Sequence, residues 1–332
     1  MNRPIVSATM AFSLLFAAHL ANAAGDALSP VAILRPQPSA STEADEATKV
    51  SGAACTTDQE TCLLVGDEYR YALTFEIAGD NLVLKDRVFL VTKKDKNGKK
   101  IKEADTEGIS FSDGIFYLVG SHGRNKEGNK GDPRYFAYRV PATALKGGDL
   151  GSEDDISHSV EVSSRLEEIL KQKKALKDAN KLAPEKGGTN IEGIAVLGDK
   201  FFVGFRGPLL DGEAVIGEAS VKEIFDGAPG DFELHPVDLG KGQAVRDLAA
   251  YKNDVLILAG PQDRDGGKAA VYKWTPGGEA VKLAELDPAG SPDRQPETLM
   301  VLETSEDAVR CLVFDDGDKS ANPRIYEIPV TP

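Results

Sequence analysis

Five times along the chain a short apolar run is followed by a tight polar turn and a second apolar run. The clearest copy, residues 190–209 (NIEGIAVLGDKFFVGFRGPL), opens on an acidic residue and a glycine and ends in a polar loop carrying Arg206. The same plan appears at residues 105–124 (DTEGISFSDGIFYLVGSHGR), and more loosely at 245–264 (VRDLAAYKNDVLILAGPQDR) and 296–317 (PETLMVLETSEDAVRCLVFDDG). A fainter copy is 51–70 (SGAACTTDQETCLLVGDEYR), with Gly52 and Ala53 where the others carry an acid. Runs of this length bounded by turn residues read as paired strands. Successive copies start about 50 to 85 residues apart, a period that signals a propeller or array.

The stretches between copies supply further strands. Residues 71–77 and 81–92, 135–140, 213–218 and 232–239, 269–275 and 280–286, and 324–330 all have alternating or β-branched character. Each unit then holds three or four antiparallel strands, the content of one blade. The last unit is short of a strand, and residues 31–34 (VAIL) could complete its sheet and close the ring. One departure from the β pattern is 164–181, where Ser164 with Glu167 suggests a capping box and Leu166, Ile169, Leu170 and Leu176 share one side. The expected fold is an all-β propeller of about five blades over residues 51–332, with a helical insertion at about 161–188 on its outside. Residues 24–50 read as the N-terminal strand followed by a flexible linker, because 35–49 (RPQPSASTEADEATK) lacks any large apolar residue. Trp274, inside a strand of the fourth unit, is expected to pack between neighbouring blades.

Composition narrows the function classes. Of 332 residues, 41% are hydrophobic and 28% charged, which are globular values. A formal charge of −14 argues against a nucleic-acid groove, which needs clustered Lys and Arg. The basic run at 93–102 (KKDKNGKKIK), centred on Asn97-Gly98, reads as a solvated hairpin loop. At the N-terminus Arg3, an apolar run over 5–20 and Ala21-Asn22-Ala23 form a signal peptide over 1–23, predicting an exported chain, periplasmic or secreted, that begins at Ala24. With no further run of spanning length, no membrane association is expected after cleavage, and the chain is expected to be a monomer. Three cysteines suit an exported protein with one disulfide. Cys55 and Cys62 flank a hairpin turn and are the expected pair, with Cys311 a buried thiol; a bridge from Cys311 to either stays open, since connectivity is not written in sequence.

Hairpin geometry turns these patterns into a site. The start of a first strand and the end of the second lie at the same edge of an antiparallel pair. If each copy opens a blade from its innermost strand, Glu107, Glu192, Asp247 and Glu297 converge on one mouth of the central channel. Loops leaving the second strands would bring Asp67, Glu68, His122, Arg124, Arg206, Asp263, Arg264, Asp315 and Asp316 to that mouth, with Arg246 beside Asp247. Such a ring has three readings. The acids could hold blades in register by accepting N–H groups or pairing with arginine. Glu107, Glu192, Asp247 and Glu297 could offer the oxygens that Ca2+ takes. Arginines 124, 206 and 264 could grip a phosphate or carboxylate. Cation and arginines together would suit phosphoester hydrolysis, the metal activating water.

Other chemistries find little support. His122, His158 and His235 show no zinc-ligand spacing, and neither a G-x-S-x-G elbow nor the G-K-[ST] of a P-loop is present. Asp263-Arg264-Asp265-Gly266 and Asp315-Asp316-Gly317-Asp318 lack the twelfth-position Glu of an EF-hand.

The pairs Glu107-Gly108 and Glu192-Gly193, with Gly120-Ser121-His122-Gly123-Arg124-Asn125, Phe205-Arg206-Gly207-Pro208, Arg246-Asp247-Leu248 and Ala259-Gly260-Pro261, resemble an uncharacterised bacterial family known only as a domain of unknown function. That family is similar to the exported phytase-like, or esterase-like, propellers. The resemblance covers most of residues 51–332 and implies a propeller and export; it carries no catalytic residues over. It leaves two expectations, a cation-assisted phosphoesterase with a small anionic or phosphoester substrate, and a non-enzymatic propeller that binds a ligand or protein while its acids serve as structure.

Overall fold

A computed structural model of the chain describes residues 27–263, 268–287, 295–316 and 322–330. Its strands form five separate sheets. The chain enters with β1 (Ala32–Ile33) and β2 (Arg35–Gln37), then builds blade 1 from β3 (Gly52–Cys55), β4 (Cys62–Val65), β5 (Tyr71–Ala78) and β6 (Asn81–Phe89). Blade 2 holds β7 (Thr106–Ser112), β8 (Ile115–Gly120), β9 (Ala137–Pro141) and β10 (Glu161–Ser163). Blade 3 holds β11 (Asn190–Leu197), β12 (Lys200–Leu210), β13 (Glu213–Ser220) and β14 (Glu233–Val237). Blade 4 holds β15 (Gln243–Tyr251), β16 (Asp254–Pro261), β17 (Ala270–Trp274) and β18 (Ala280–Glu285). Blade 5 holds β19 (Gln295–Thr304), β20 (Ala308–Asp316) and β21 (Arg324–Pro329), and β1 pairs antiparallel with β21 as its outermost strand. The first and last parts of the chain thus share a sheet and close the propeller.

The innermost strands β3, β7, β11, β15 and β19 pack against one another in a complete ring, β19 against β3 included. Each inter-blade space is filled by its own apolar cluster, so there are five cores rather than one. A sheet buried on both faces needs apolar residues at successive positions, and Val255 to Ala259 of β16 are all fully buried. Trp274 is also fully buried, meeting Phe202 of blade 3 edge-on at 5.5 Å.

Close approach of inner strands explains the glycines near the starts of β3, β7 and β11. A Cβ on Gly52 would lie 3.1 Å from the Gly108 backbone, one on Gly108 2.9 Å from the Ile194 nitrogen, and one on Gly193 2.6 Å from the Leu248 nitrogen. Blades 1, 2 and 3 therefore each rest bare backbone on the next.

Two expectations change on folding. The segment expected to be a flexible linker is structured: β2 pairs in parallel with β6, and a 3-10 helix at Ala44–Thr48 buries Glu46 and Ala47. Glu46 gives this polar stretch its anchor, receiving Arg87 Nη2 at 2.9 Å and the Tyr71 hydroxyl. The single expected helix is instead two short ones, α2 (Arg165–Leu170) and α3 (Lys174–Ala179), after a first short helix α1 (Ala142–Lys146). The break lets Leu166, Ile169, Leu170 and Leu176 enter the same core beside blade 3. The Ser164 side chain makes no capping hydrogen bond. Cys55 and Cys62 are joined, their Cα atoms 4.0 Å apart at facing positions of β3 and β4, and Cys311 is a buried free thiol. Among the described residues no helix is long and apolar enough to cross a membrane.

Candidate functional site at the charged mouth

Where the inner strands begin, four of the five ladders carry a bulge. The register jumps from Thr106 to Gly108, from Ile191 to Gly193, from Val245 to Asp247 and from Pro296 to Thr298. The residues passed over are Glu107, Glu192, Arg246 and Glu297. A bulged residue leaves the pleat and its side chain is re-aimed. The structurally equivalent set is therefore three glutamates and an arginine, and this corrects the expected alignment: in blade 4 the equivalent residue is Arg246, while Asp247 matches Gly108, Gly193 and Thr298.

Arg246, 2% exposed, joins three blades. Its guanidinium contacts Glu297 of blade 5 through Nη2 and lies 3.6 Å from Glu192 Oε2 of blade 3 through Nη1. Glu192 is held further by Asn190 Nδ2 at 2.6 Å and by Arg206 Nη1 at 3.2 Å. Arg206 also donates from Nε to the Gln262 carbonyl of blade 4, at 3.0 Å. Asp247 turns between blades instead: one carboxylate oxygen accepts its neighbour Leu248 N–H at 2.7 Å, the other Leu299 N–H of β19 at 2.8 Å. Burial raises its pKa well above the carboxylate range, against the pull of those two N–H groups.

The half-buried Glu107 makes no side-chain hydrogen bond or ion pair among the described residues. Burial holds its carboxyl well above the ordinary range, and the neighbouring carboxylates of Asp105, Glu192, Asp67 and Glu297 push the same way. A carboxyl so placed holds its proton to a higher pH than an ordinary glutamate does.

Beside it stands a cluster the sequence did not mark. Asp105, at a positive φ of 55°, accepts the Ser121 hydroxyl and Arg134 Nη1, the latter at 2.7 Å, while Arg134 Nη2 reaches Glu103. Burial raises the Asp105 pKa to about 6 despite Arg134 and Ser121. In blade 5, Asp315 pairs with the fully buried Arg324. The only available signal for Asp105 was its place two residues before Glu107; for Arg324 there was none.

Two expected ring members lie elsewhere. Arg124 donates to the Asn180 and Gly128 carbonyls at 2.7 and 2.9 Å, fastening its loop to the C-terminal end of α3. His122 is fully buried, with φ 51°; its Nδ1 donates to the Gly120 carbonyl at 2.9 Å and burial lowers its pKa to about 4. It packs edge-on to Tyr135 as a neutral core residue. Arg264, and the side chain of Asp316, lie outside the described residues.

Onto this mouth opens a pocket of about 560 Å³, lined by Arg206, Lys126, Asn190, Gln262, Asp263 and Glu185 among others. Among the described residues, the one group of three potential metal-ligand atoms within 4.8 Å of one another is Glu218, Glu233 and His235, on the outer strands of blade 3. The four carboxylates expected to form a cation site do not reach that spacing: Arg246 stands between two of them and the backbone occupies Asp247.

A model of the family described as "Protein of unknown function (DUF3616)" matches residues 50–137 and 153–323. No curated protein matches the chain. Among solved structures it is similar to Kuenenia stuttgartiensis hydrazine synthase, at 7% identity and a TM-score of 0.37, over 85% of this chain and 66% of that one. It is similar also to the WD40 repeats of RRP9, at 9% and 0.38 over 92% and 86% of the two chains. A third is YCF48 bound to D1 peptide, at 11% and 0.34 over 84% and 68%.

Proposed function

Because the chain belongs to the DUF3616 family, whose description assigns no function, we propose its role from the geometry of the charged mouth: an exported propeller that binds a small anion there. Arg206 is the observation that carries this reading. Its Nε and Nη1 are held by Gln262 and Glu192, which fixes the guanidinium plane, while Nη2 makes no hydrogen bond among the described residues. A forked donor fixed in this way at a polar pocket suits a phosphate or carboxylate. Lys126 adds a second cation to the lining, and the Asn190 and Gln262 side chains add neutral hydrogen-bonding groups. In this reading Glu192, Glu297 and Asp247 are structural. Export rests on the N-terminal sequence pattern and on the cystine, which persists in oxidising compartments.

A second reading, phytase-like hydrolysis of a phosphoester with Ca2+, is favoured by Glu107. An unpaired carboxyl whose pKa is raised by burial could protonate a leaving oxygen, or exchange its proton for a hard cation completed by carbonyls, water and substrate oxygens. Calorimetric titration with inorganic phosphate and a panel of phosphomonoesters, with and without Ca2+, tests both. Binding at one site that weakens tenfold or more in Arg206→Ala, with Arg206→Lys between, supports the first. Turnover that Glu107→Gln abolishes while binding persists supports the second. Equal binding by wild type and Arg206→Ala, or no binding to any probe, would sink the site.

A further inference from the structure

The outer edge of blade 3 gathers a second set of ligand atoms, apart from the charged mouth. β13 and β14 pair so that Glu218 stands directly opposite Glu233. Like charges facing one another across a ladder disfavour the pairing, so something else must favour it. Two positions along β14, hence on the same face, stands His235. Its Nε2 lies 3.0 Å from Glu218 Oε2 and 4.0 Å from Glu233 Oε2. A tetrahedral zinc ion with bonds of about 2.05 Å separates its ligands by about 3.3 Å, and the observed spacings bracket that value.

Packing presets two of the three donors. The His235 ring rests on Trp274 of blade 4, centroids 5.3 Å apart, and Trp274 is itself fixed by donating Nε1–H to the Gly278 carbonyl at 3.0 Å. The Glu218 and His235 side chains are each 17% exposed, while Glu233 is 64% exposed and can swing in from solvent. Lys200 Nζ sits 2.7 Å from Glu218 Oε1, which leaves Oε2 for the histidine side. One ammonium against two carboxylates leaves a net negative charge at the cluster.

We propose that Glu218, Glu233 and His235 bind one Zn2+, with the fourth position left to water. An imidazole among the donors selects zinc over Ca2+ or Mg2+, which take oxygen. Sequence spacing hid the set because Glu218 joins it across the ladder, fifteen positions from Glu233.

Titration of the untagged chain with ZnCl2, followed by calorimetry, decides the matter. The expected result is one Zn2+ per chain, undisturbed by excess Ca2+, with affinity at least tenfold weaker in His235→Ala and in Glu233→Gln. Lys200→Met, which removes the competing ammonium, should tighten binding. Glu233→Gln alters a side chain mostly in solvent, so it keeps the test sound should His235→Ala fail to fold. Absence of stoichiometric binding, or unchanged affinity in Glu233→Gln and His235→Ala, overturns the proposal and leaves a plain His–Glu hydrogen bond. A failure of the Arg206 site would leave this result untouched.

Discussion

The two mouths of the channel are built on different principles. At one, where the inner strands begin, bulges throw charged side chains out of register and blades are coupled over long sequence distances: Glu192, Arg246 and Glu297 tie three blades together. At the other, where the inner strands end, a funnel of about 920 Å³ is lined by the strand ends and their turns, with Asp113, Lys200 and Lys252 as its charged residues. There most of the structure is local: Asp113 and Gly114 take positive φ in a two-residue turn, and the Cys55–Cys62 bridge closes its own hairpin, while Gln59 Nε2 donates to the Leu302 carbonyl of blade 5. A neck of about 80 Å³, lined mainly by apolar residues such as Ala53, Ile109, Phe111, Leu248, Leu299 and Met300, separates the two. The lesson is that buried charges couple the blades at one mouth, whereas the other is built mainly from turns within single hairpins. Changes at the first should therefore propagate through the ring, and changes at the second should stay small.

The severest test is Arg246→Ala, which leaves Glu192 and Glu297 without their shared cation; breaking a buried ion pair in this way costs about 3–5 kcal/mol. Urea unfolding should register it, and a triple change of Glu192→Gln, Arg246→Met and Glu297→Gln should recover most of the loss. If Arg246→Ala unfolds like wild type, the coupled mouth is an illusion. Gly193→Ala comes next, at about 3 kcal/mol by the same measurement, because the new methyl would meet the Asp247 and Leu248 backbone at 2.6 Å and backbone cannot step aside.

Acid–base behaviour sharpens the comparison further. The Asp105 pKa is raised to about 6 from 3.8, so between those values the native state binds more protons than the unfolded chain. Its contribution is present below about pH 4 and is lost as pH rises through 6, on the order of 3 kcal/mol. Glu107 and Asp247, also raised, add to the same slope. Asp105→Asn should flatten the fall in melting temperature over pH 4–6, and an unchanged profile would remove Asp105 as its source. The smallest effect belongs to the other mouth. Lys252 has φ 55°, a conformation that glycine takes without strain. Lys252→Gly should gain at most about 1 kcal/mol, and a large loss there would show that the funnel, too, is coupled to the ring.

Much of this was legible beforehand, for a physical reason. A strand buried on both faces must be apolar throughout, and a turn must supply residues that tolerate it, so the hairpins at 105–124 and 190–209 announce themselves locally. The closing strand was legible as well: residues 31–34 are apolar and the fifth unit lacked a strand, and β1 completes blade 5. What misled was polarity judged by composition. Residues 35–49 look unable to pack, yet Glu46 satisfies its buried carboxylate with Arg87 and Tyr71, groups that lie 25 or more positions away. Arg124 looked like a ligand for an anion, and the carbonyls of Gly128 and Asn180 claim it.

By itself, the order of residues determined the repeating strand pairs, their number and the close inner packing that its glycines permit, because each follows from local sterics and from apolar burial within one hairpin. Tertiary structure alone decided which charges meet. A bulge shifts a side chain by one position, so that Arg246 rather than Asp247 stands with Glu192 and Glu297, and a ladder sets Glu218 against Glu233 and His235. Ring closure and strand register bring those groups together from distant parts of the chain, and no local rule of spacing encodes either.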